Sequence, residues 1–324
     1  MQALLRSDRG AADRFLNFAR EHRIRLDGMW ARLDDAGRMV MAALASPGAG
    51  RTATLFATAA RAANDIAPLS DLLRRVLHGL AFPHDQIDGS ATTGEATPLD
   101  IDLVQTLIDP SEFRQAEAIS RSGMARLAEL SYLERATPRG PILKAVAGPG
   151  KPIAEWPSDI RAERWDPANR RELIQTLERS YVGTLDCPAL AGLRRGEDVL
   201  EGHMHSGTFE PSLWTVLRFI SGPHEGHTAG VCLFNSSTSG AGQTGSLELV
   251  YFGLVPEARG RGLGRTLLRH ALDGLRERRE ATVLLAVDDR NEPAHRLYRE
   301  AGFRTRFRRI AYIHSLRSAG RGAG

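Results

Sequence analysis

Val-Pro-Glu-Ala-Arg-Gly-Arg-Gly-Leu-Gly-Arg-Thr-Leu-Leu, residues 255 to 268, is the stretch that decides the fold of this chain. A strand-like run from Leu247 to Phe252 precedes it, and apolar residues at helical spacing follow it. The pattern predicts a strand, a glycine-rich turn and a helix. Such a turn directs several backbone N–H groups at one point, at the positive end of the helix dipole. Because Gly262 and Gly264 carry no Cβ, a phosphate or pyrophosphate can approach the backbone closely.

Length and composition predict an ordinary globular protein of more than one domain. The chain has 324 residues, which exceeds the usual size of a single domain. Prolines and glycines interrupt the pattern between Thr137 and Ser158, so we predict two domains, residues 1–150 and 151–324, with a boundary near residue 150. The formal charge of +4 is modest, and we do not expect nucleic-acid binding.

Cysteine content and hydropathy predict the compartment. Cys187 and Cys232 are too few for a disulfide framework and lack metal-ligand spacing. The N-terminus meets charged residues too early for a signal-peptide core, and no apolar run approaches the roughly 20 residues that span a bilayer. We therefore expect a reduced, cytoplasmic protein without a membrane partner.

Several histidines raise the question of a metal site. No third ligand is fixed by spacing, so we interpret them as solvated loop residues and predict no metal. They are His203, His205, His224 and His227.

Strand-like and helix-like patterns alternate twice along the chain, which predicts an α/β fold. The strands are expected at 29–33, 39–44, 52–57, 101–108, 124–133, 160–165, 213–220, 229–234, 247–252, 281–287 and 306–313. The helices are expected at 11–23, 68–80, 111–123, from 167 through 177, 196–203, from 263 and 293–301.

Residues 159–316 resemble the GNAT superfamily of acetyltransferases. Two motifs carry the resemblance: Val255-x-x-x-Arg259-Gly260-x-Gly262-x-Gly264, with Pro256 after the valine, and Asn291-x-x-Ala294-x-x-Leu297-Tyr298-x-x-x-Gly302-Phe303. One helix and one strand separate them, in the order that the family shows. The resemblance implies a mixed, mostly antiparallel twisted sheet flanked by helices.

The resemblance also implies acetyl-CoA as co-substrate. Its pyrophosphate would lie on the amides of about Arg259 to Arg265, and its pantetheine along the splayed strand that ends at Leu254 and Val255. The oxyanion would meet a backbone N–H near these two residues, a bulge site in the family. The implied cofactor-binding residues are Leu254, Val255, Arg259, Gly260, Arg261, Gly262, Leu263, Gly264, Arg265 and Asn291. Asn291 is also a helix cap by its position before Pro293.

Two residues are candidates for proton transfer. Glu248 resembles the general base of some family members, and burial would raise its pKa for that role; alternatively it is a solvent-facing strand glutamate. Tyr298 stands where the family places a general acid that returns a proton to the thiolate; alternatively it packs against the core. Both alternatives remain open from the sequence.

The N-terminal half resembles a degenerate copy of the same domain. Placing Leu72-Leu73 over Leu267-Leu268 sets Ala67 against Gly262, and Ala53 against Glu248. Placing Gly123 over Gly302 sets Ile119 against Tyr298. This copy keeps the element order but lacks the phosphate loop, the base and the acid, and Pro68 lacks an N–H that a phosphate would need. We therefore predict two tandem GNAT-like domains, of which the second is catalytic. An unrelated α/β domain is the alternative.

Two hypotheses for function follow. The first is an acetyl-CoA-dependent N-acetyltransferase acting on a primary amine of a small molecule or a peptide; mycothiol-synthase-like and aminoacyl-transferring enzymes are tandem relatives. The second is a CoA-sensing or scaffold protein that binds CoA without turnover. The sequence specifies neither the acceptor nor the oligomeric state.

Overall fold

A computed structural model describes residues 28–82, 100–139, 156–237 and 245–317. The predicted helix over 11–23, the boundary near residue 150 and most of the tail lie outside the described residues. None of the described helices is both long enough and apolar enough for a membrane crossing.

Strands and helices alternate along the described chain, and the predicted α/β class is confirmed. The strands are β1 (Met29–Leu33), β2 (Met39–Gly48), β3 (Thr52–Ala57), β4 (Leu103–Ile108), β5 (Ala125–Ala136), β6 (Ile160–Arg164), β7 (Trp214–Phe219), β8 (Thr228–Ser237), β9 (Ser246–Leu254), β10 (Thr282–Asp288) and β11 (Arg304–Ser315). The α-helices are α1 (Ile66–Ala81), α2 (Phe113–Arg121), α3 (Arg170–Ser180), α4 (Gly196–Met204), α5 (Leu263–Asp273) and α6 (Glu292–Glu300).

The chain forms two compact units that do not follow chain order. The first comprises the described residues up to Glu129 and those from Arg309 onward, and the second runs from Leu130 to Arg308. The division therefore falls within β5 and within β11. The first unit includes the second part of β11, from the C-terminal half of the chain. The second unit includes the second part of β5, from the N-terminal half.

The first unit has a sheet in which β1, β2 and β3 are antiparallel, β3 and β4 are parallel, and β4 pairs antiparallel with residues 310–315 of β11. Helix α1 buries one apolar stripe at helical spacing, which includes Leu69, Leu72, Leu73 and Val76. This stripe joins the apolar side chains of the sheet in one core.

The second unit repeats this plan with more strands. Strands β6, β7, β8 and β9 are antiparallel, β9 and β10 are parallel, and β10 pairs antiparallel with residues 130–136 of β5. Helices α3 and α5 both pack on β8, which is buried along nearly its whole length. This continuous burial explains the uninterrupted apolar run in its sequence.

The internal repeat is visible in the element bounds. Adding 179 to the bounds of α2 and β5 gives those of α6 and β11, and adding 179 to the bounds of β4 gives residues 282–287 of β10. Gly123 and Gly302, which correspond in this register, both have positive φ, 100° and 87°. The two parallel pairs also correspond, since Thr52 pairs with Leu103 and Ser246 with Thr282.

One position of the predicted repeat register is wrong. The parallel pairs place Thr54, opposite Gln105, where Glu248 stands opposite Leu284, so the counterpart of Glu248 is Thr54 and not Ala53. The one-residue difference arises because β9 contains a bulge that β3 lacks. A threonine replaces the carboxylate, so the conclusion that the copy lacks the base is unchanged.

Candidate active site

The glycine-rich turn leads directly into α5, as the sequence predicts. Gly260 and Gly262 have φ values of 74° and 77°, a region that residues with a Cβ rarely adopt, and Gly262 is the N-cap of α5. Among the described residues, no backbone hydrogen bond occupies the amides from Gly260 to Gly264. The flanking amides are occupied: that of Arg259 donates to Pro256 O (3.1 Å) and that of Arg265 to Gly262 O (3.2 Å). The free amides fit a phosphate group at the start of a helix.

The arginine side chains of this turn are bound to protein groups. Arg259 donates to three backbone carbonyls, those of Leu254 (3.1 Å), Val182 (2.6 Å) and Ser180 (2.8 Å). Its planar guanidinium thereby ties the end of α3 to the end of β9.

The other two arginines of the turn form ion pairs, Arg261 with Asp159 (2.7 Å) and Arg265 with Glu300. In this structure the turn therefore offers backbone amides at its centre, and its three cationic side chains are engaged elsewhere.

In the first unit, a carboxylate of the protein itself accepts hydrogen bonds from backbone amides of the corresponding turn. One carboxylate oxygen of Asp65 accepts hydrogen bonds from the amides of Arg61 (3.0 Å) and Ala62 (2.9 Å). Pro68, in the first turn of α1, has no N–H to donate. An internal carboxylate thus occupies amides in the loop that precedes this helix.

Strands β9 and β10 diverge next to the glycine-rich turn. Their parallel pairing covers only Ser246 to Glu248 of β9 and Thr282 to Leu284 of β10. Beyond Glu248, β10 no longer pairs with β9, so within the described residues this side of the β9 backbone has no paired strand.

The bulge in β9 lies at Val250 and not near Leu254 and Val255, where we expected it. Phe234 of β8 pairs with Leu249 and Leu233 with Tyr251, so Val250 is the extra residue. The amide of Val255 donates to Ala229 O (3.0 Å) and is not available to an oxyanion. The prediction of an oxyanion donor at Val255 is therefore wrong.

The side chain of Glu248 is largely buried, and it is not the solvent-facing glutamate of the alternative interpretation. Burial raises the pKa of its carboxyl, while a hydrogen bond from the Ser206 hydroxyl (3.1 Å) acts in the opposite direction. A carboxylate with a raised pKa suits proton abstraction near neutral pH.

Tyr298 lies on α6 and is only 6% exposed. Its ring makes edge contacts with Phe252 of β9 (centroids 6.4 Å apart) and with Phe303 (5.8 Å). Burial raises the pKa of the phenol, so the phenol stays protonated at neutral pH. Packing and proton donation are thus compatible at this position.

Asn291 caps α6, because its side-chain oxygen accepts from the amide of Ala294 (3.3 Å). Just before this cap, the amide of Asp288 donates to the Asp186 carboxyl (2.8 Å), and the amide of Cys187 donates to the Asp288 carboxyl (3.2 Å). These reciprocal bonds fix the loop after α3 to the carboxyl end of β10.

The thiol of Cys187 is buried, and burial raises its pKa to about 12. A thiol is a poor nucleophile in this state. Cys187 is therefore a packing residue and not a nucleophile.

Sequence reasoning missed the residues that line the face of β9 beside Glu248. The Tyr251 hydroxyl lies 2.7 Å from the Ser180 hydroxyl, and its ring lies 5.0 Å from that of His203. Tyr251 has no signal in the sequence, because a tyrosine in an apolar strand looks like core.

The prediction that His203 is a solvated loop residue is wrong. It lies on α4, its Nε2 is enclosed, and burial lowers the pKa of its ring to about 3. Within the described ranges, no group of histidine, cysteine and carboxylate side chains could hold a metal ion.

The glycine-rich turn at the start of α5 and the short parallel pairing of β9 with β10 are typical of an acetyltransferase domain. The model of the Acetyltransferase (GNAT) family matches residues 195–303, so this part of the chain is a GNAT-type domain. A GCN5-related N-acetyltransferase from Sphaerobacter thermophilus has the same fold, with a TM-score of 0.56 and 17% identity over 94% of this chain and 86% of that one.

Curated relatives match a shorter region. A mycothiol acetyltransferase from Acidothermus cellulolyticus is 44% identical over 70 residues, which is 22% of this chain and 21% of the relative. A streptothricin acetyltransferase from Streptomyces lavendulae is 46% identical over 50 residues, 15% of this chain and 26% of the relative. The matched region thus spans about a quarter or less of these relatives.

Proposed function

We propose that the protein is an acetyl-CoA-dependent N-acetyltransferase that acts on a primary amine of a small molecule or a peptide. The observation that carries this proposal is the row of free amides from Gly260 to Gly264 at the start of α5. It lies inside the region that matches the family. The names of the relatives, mycothiol and streptothricin acetyltransferases, favour a small-molecule acceptor. We further propose a cytoplasmic location, where acetyl-CoA is available.

The amides of the turn hold the pyrophosphate, and Gly260 and Gly262 let it approach the backbone. The open edge of β9 beyond Glu248 receives the pantetheine, with Leu254 and Asn291 at its sides. Acetyl-CoA, when bound, supplies the thioester that carries the acetyl group.

Glu248 takes the proton that the acceptor ammonium must lose before its nitrogen attacks. Its raised pKa brings its basicity closer to that of the amine. As the new N–C bond forms and the C–S bond breaks, Tyr298 donates its proton to the departing sulfur. The nitrogen loses its second proton to solvent as the amide forms, solvent reprotonates the phenolate, and the proton on Glu248 returns to solvent.

The test is thiol release from acetyl-CoA with a panel of primary amines, with the acetylated product identified by mass spectrometry. Tyr298→Phe keeps the ring contacts and removes the hydroxyl, so we expect kcat to fall by about 100-fold or more while CoA binding persists. Glu248→Gln should lower kcat similarly. Failure of the intact protein to bind CoA would contradict the proposal.

The second candidate is a CoA-binding protein without turnover. It predicts calorimetric CoA binding with no acetylated product from any amine, and with no difference between the wild type and Tyr298→Phe. The Glu248 carboxyl, which Ser206 holds where the pairing of β9 with β10 ends, favours the enzyme, since simple CoA binding requires no proton acceptor.

A further inference from the structure

Arg194 is an enclosed cation without a carboxylate partner in the described part of the chain. Its guanidinium donates to the backbone carbonyl of Asp198 (2.8 Å), while its Nε is fully enclosed and makes no hydrogen bond among the described residues. Among the described residues no carboxylate forms an ion pair with it: the Asp198 carboxylate acts on its charge from a distance but is paired with Arg195. Because a buried guanidinium stays charged, such a group is costly unless an anion meets it.

A second unpartnered polar atom lies beside this arginine. Nε2 of His203 is enclosed and has no hydrogen-bond partner among the described residues. The charge of Arg194 acts on the His203 ring and helps to keep it neutral. In its Nε2–H tautomer the neutral ring donates one hydrogen bond to a ligand.

Two phenols complete the group. The Tyr181 ring lies 5.8 Å from that of Tyr251, which in turn contacts His203. Burial raises the pKa of both phenols, so both keep their protons. We call Arg194, His203, Tyr181 and Tyr251 the Arg194 cluster. Its positive charge and its available donors come from Arg194, His203 and Tyr181, because the Tyr251 hydroxyl already donates to Ser180, whose own proton goes to Leu177 O.

Hydrogen bonds connect the segment that carries His203 to Glu248, the proposed base. The side-chain amide of Asn235 donates to the backbone carbonyls of His203 (2.7 Å) and Ser206 (2.6 Å), and the Ser206 hydroxyl donates to Glu248. The Arg194 cluster and Glu248 are therefore held in one framework, which a single acceptor molecule with an amine and a second polar group can span.

The single positive charge of the Arg194 cluster determines which anionic group of a ligand it can bind. A carboxylate carries one negative charge on two coplanar oxygens, which matches one guanidinium and a few neutral donors. A phosphate dianion would leave an uncompensated charge in an enclosed site.

We propose that the Arg194 cluster binds a carboxylate of the acceptor, so that the preferred acceptors are amines that also carry a carboxylate. This inference rests on the proposed acetyl transfer. It adds the substrate class, which is an amino acid or a related amino carboxylate.

The experiment uses the full chain, acetyl-CoA and matched acceptors. Glycine, 4-aminobutyrate and 6-aminohexanoate are each compared with the corresponding carboxamide, so that the separation between amine and carboxylate varies. We expect kcat/KM to favour the carboxylate by about tenfold or more at one or more lengths, which corresponds to about 1.4 kcal/mol. Arg194→Gln should reduce that preference to about twofold or less.

The matched control is Arg195→Gln. Arg195 is the neighbouring arginine, half exposed and paired with Asp198, so its loss should leave the preference for the carboxylate unchanged. A second variant, Gly202→Ala, places a Cβ 2.7 Å from the Arg194 guanidinium and should weaken the preference without removing the charge. Thermal melting verifies that each variant is folded.

Each outcome is decisive. Equal acetylation of acids and carboxamides at every length would refute the carboxylate site while leaving the acetyltransferase intact. A stronger preference for 2-aminoethylphosphonate would refute carboxylate selection in favour of a phosphate-like group. If no amine is acetylated although CoA binds, the proposed function itself fails, and this inference fails with it.

Discussion

Glu248 and Tyr251 lie on the same face of β9, although three positions separate them in an alternating strand. Val250 is the extra residue of the bulge, so the alternation is reset between them. Glu248 meets Ser206 just after α4, and Tyr251 meets Ser180 at the end of α3. The bulge thus places the proposed base and the acceptor-side tyrosine on one wall, an arrangement that the regular strand β3 does not produce.

The hydrogen bond from Ser206 to Glu248 gives a pH-dependent prediction. The bond stabilises the ionised carboxylate, so Ser206→Ala should raise the pKa of Glu248 further. Since the ionised form is the base, activity is lost as pH falls through this pKa. We expect the acid limb of kcat/KM to move to higher pH by about one unit. Ser206→Thr, which keeps a hydroxyl, serves as the control, and a profile unmoved in Ser206→Ala would contradict the assignment of Glu248.

Arg259 gives a prediction about stability. Arg259→Ala removes three charge-assisted hydrogen bonds to backbone carbonyls, and we expect the free energy of unfolding to fall by about 2 to 3 kcal/mol. Arg259→Lys should recover little of it, because a lysine cannot reproduce the planar fork. The measurement is urea unfolding. Arg265→Ala breaks only an exposed pair with Glu300 and should change stability by less than about 1 kcal/mol.

Two glycines of the turn should respond differently to the same substitution. Gly262→Ala forces an alanine to a φ of 77°, and we expect weaker acetyl-CoA binding together with a loss of about 1 kcal/mol of stability. A Cβ at Gly264 meets only the Phe252 ring and Leu254, at ordinary contact distances of 3.7 to 3.8 Å. Calorimetric titration with CoA would show the difference, and a Gly264→Ala variant impaired as severely as Gly262→Ala would contradict this account.

The hydrogen bonds of the Asp65 carboxylate lead to a prediction of how many CoA molecules each chain binds. Because it already occupies two amides of the loop in the first unit, and because Pro68 lacks an N–H, we expect one CoA per chain. Titration calorimetry on the full chain measures the ratio directly. Two equivalent sites, or a single site that survives Gly262→Ala unchanged, would show that the first unit binds the nucleotide.

Local signals made most of the fold predictable. Apolar periodicity located the described strands and helices, and glycines with positive φ marked the turns at Gly262 and Gly302 because few other residues adopt that conformation. The tandem plan followed from the repeat of these signals. These signals can be read from the sequence because each depends only on residues that are close together in the chain.

The remaining features depend on pairing between distant segments. The bulge at Val250 exists only relative to β8, so a uniform alignment placed Ala53 against Glu248 and was wrong by one residue. His203 looked like a loop histidine because its enclosure comes from tertiary packing rather than from its sequence neighbours. The same holds for the side chain of Arg259, whose partners lie far back in the chain.

Because β5 and β11 are each divided between the two units, the boundaries chosen for a fragment of this protein matter. A fragment of residues 151–324 omits Leu130–Ala136, so β10 loses the antiparallel neighbour that covers its outer edge. The same fragment retains residues 310–315, whose partner β4 has been cut away. Both exposed edges invite aggregation. A truncation that respects chain order therefore breaks both sheets, and an inactive fragment of this kind says nothing about the chemistry of Glu248 and Tyr298.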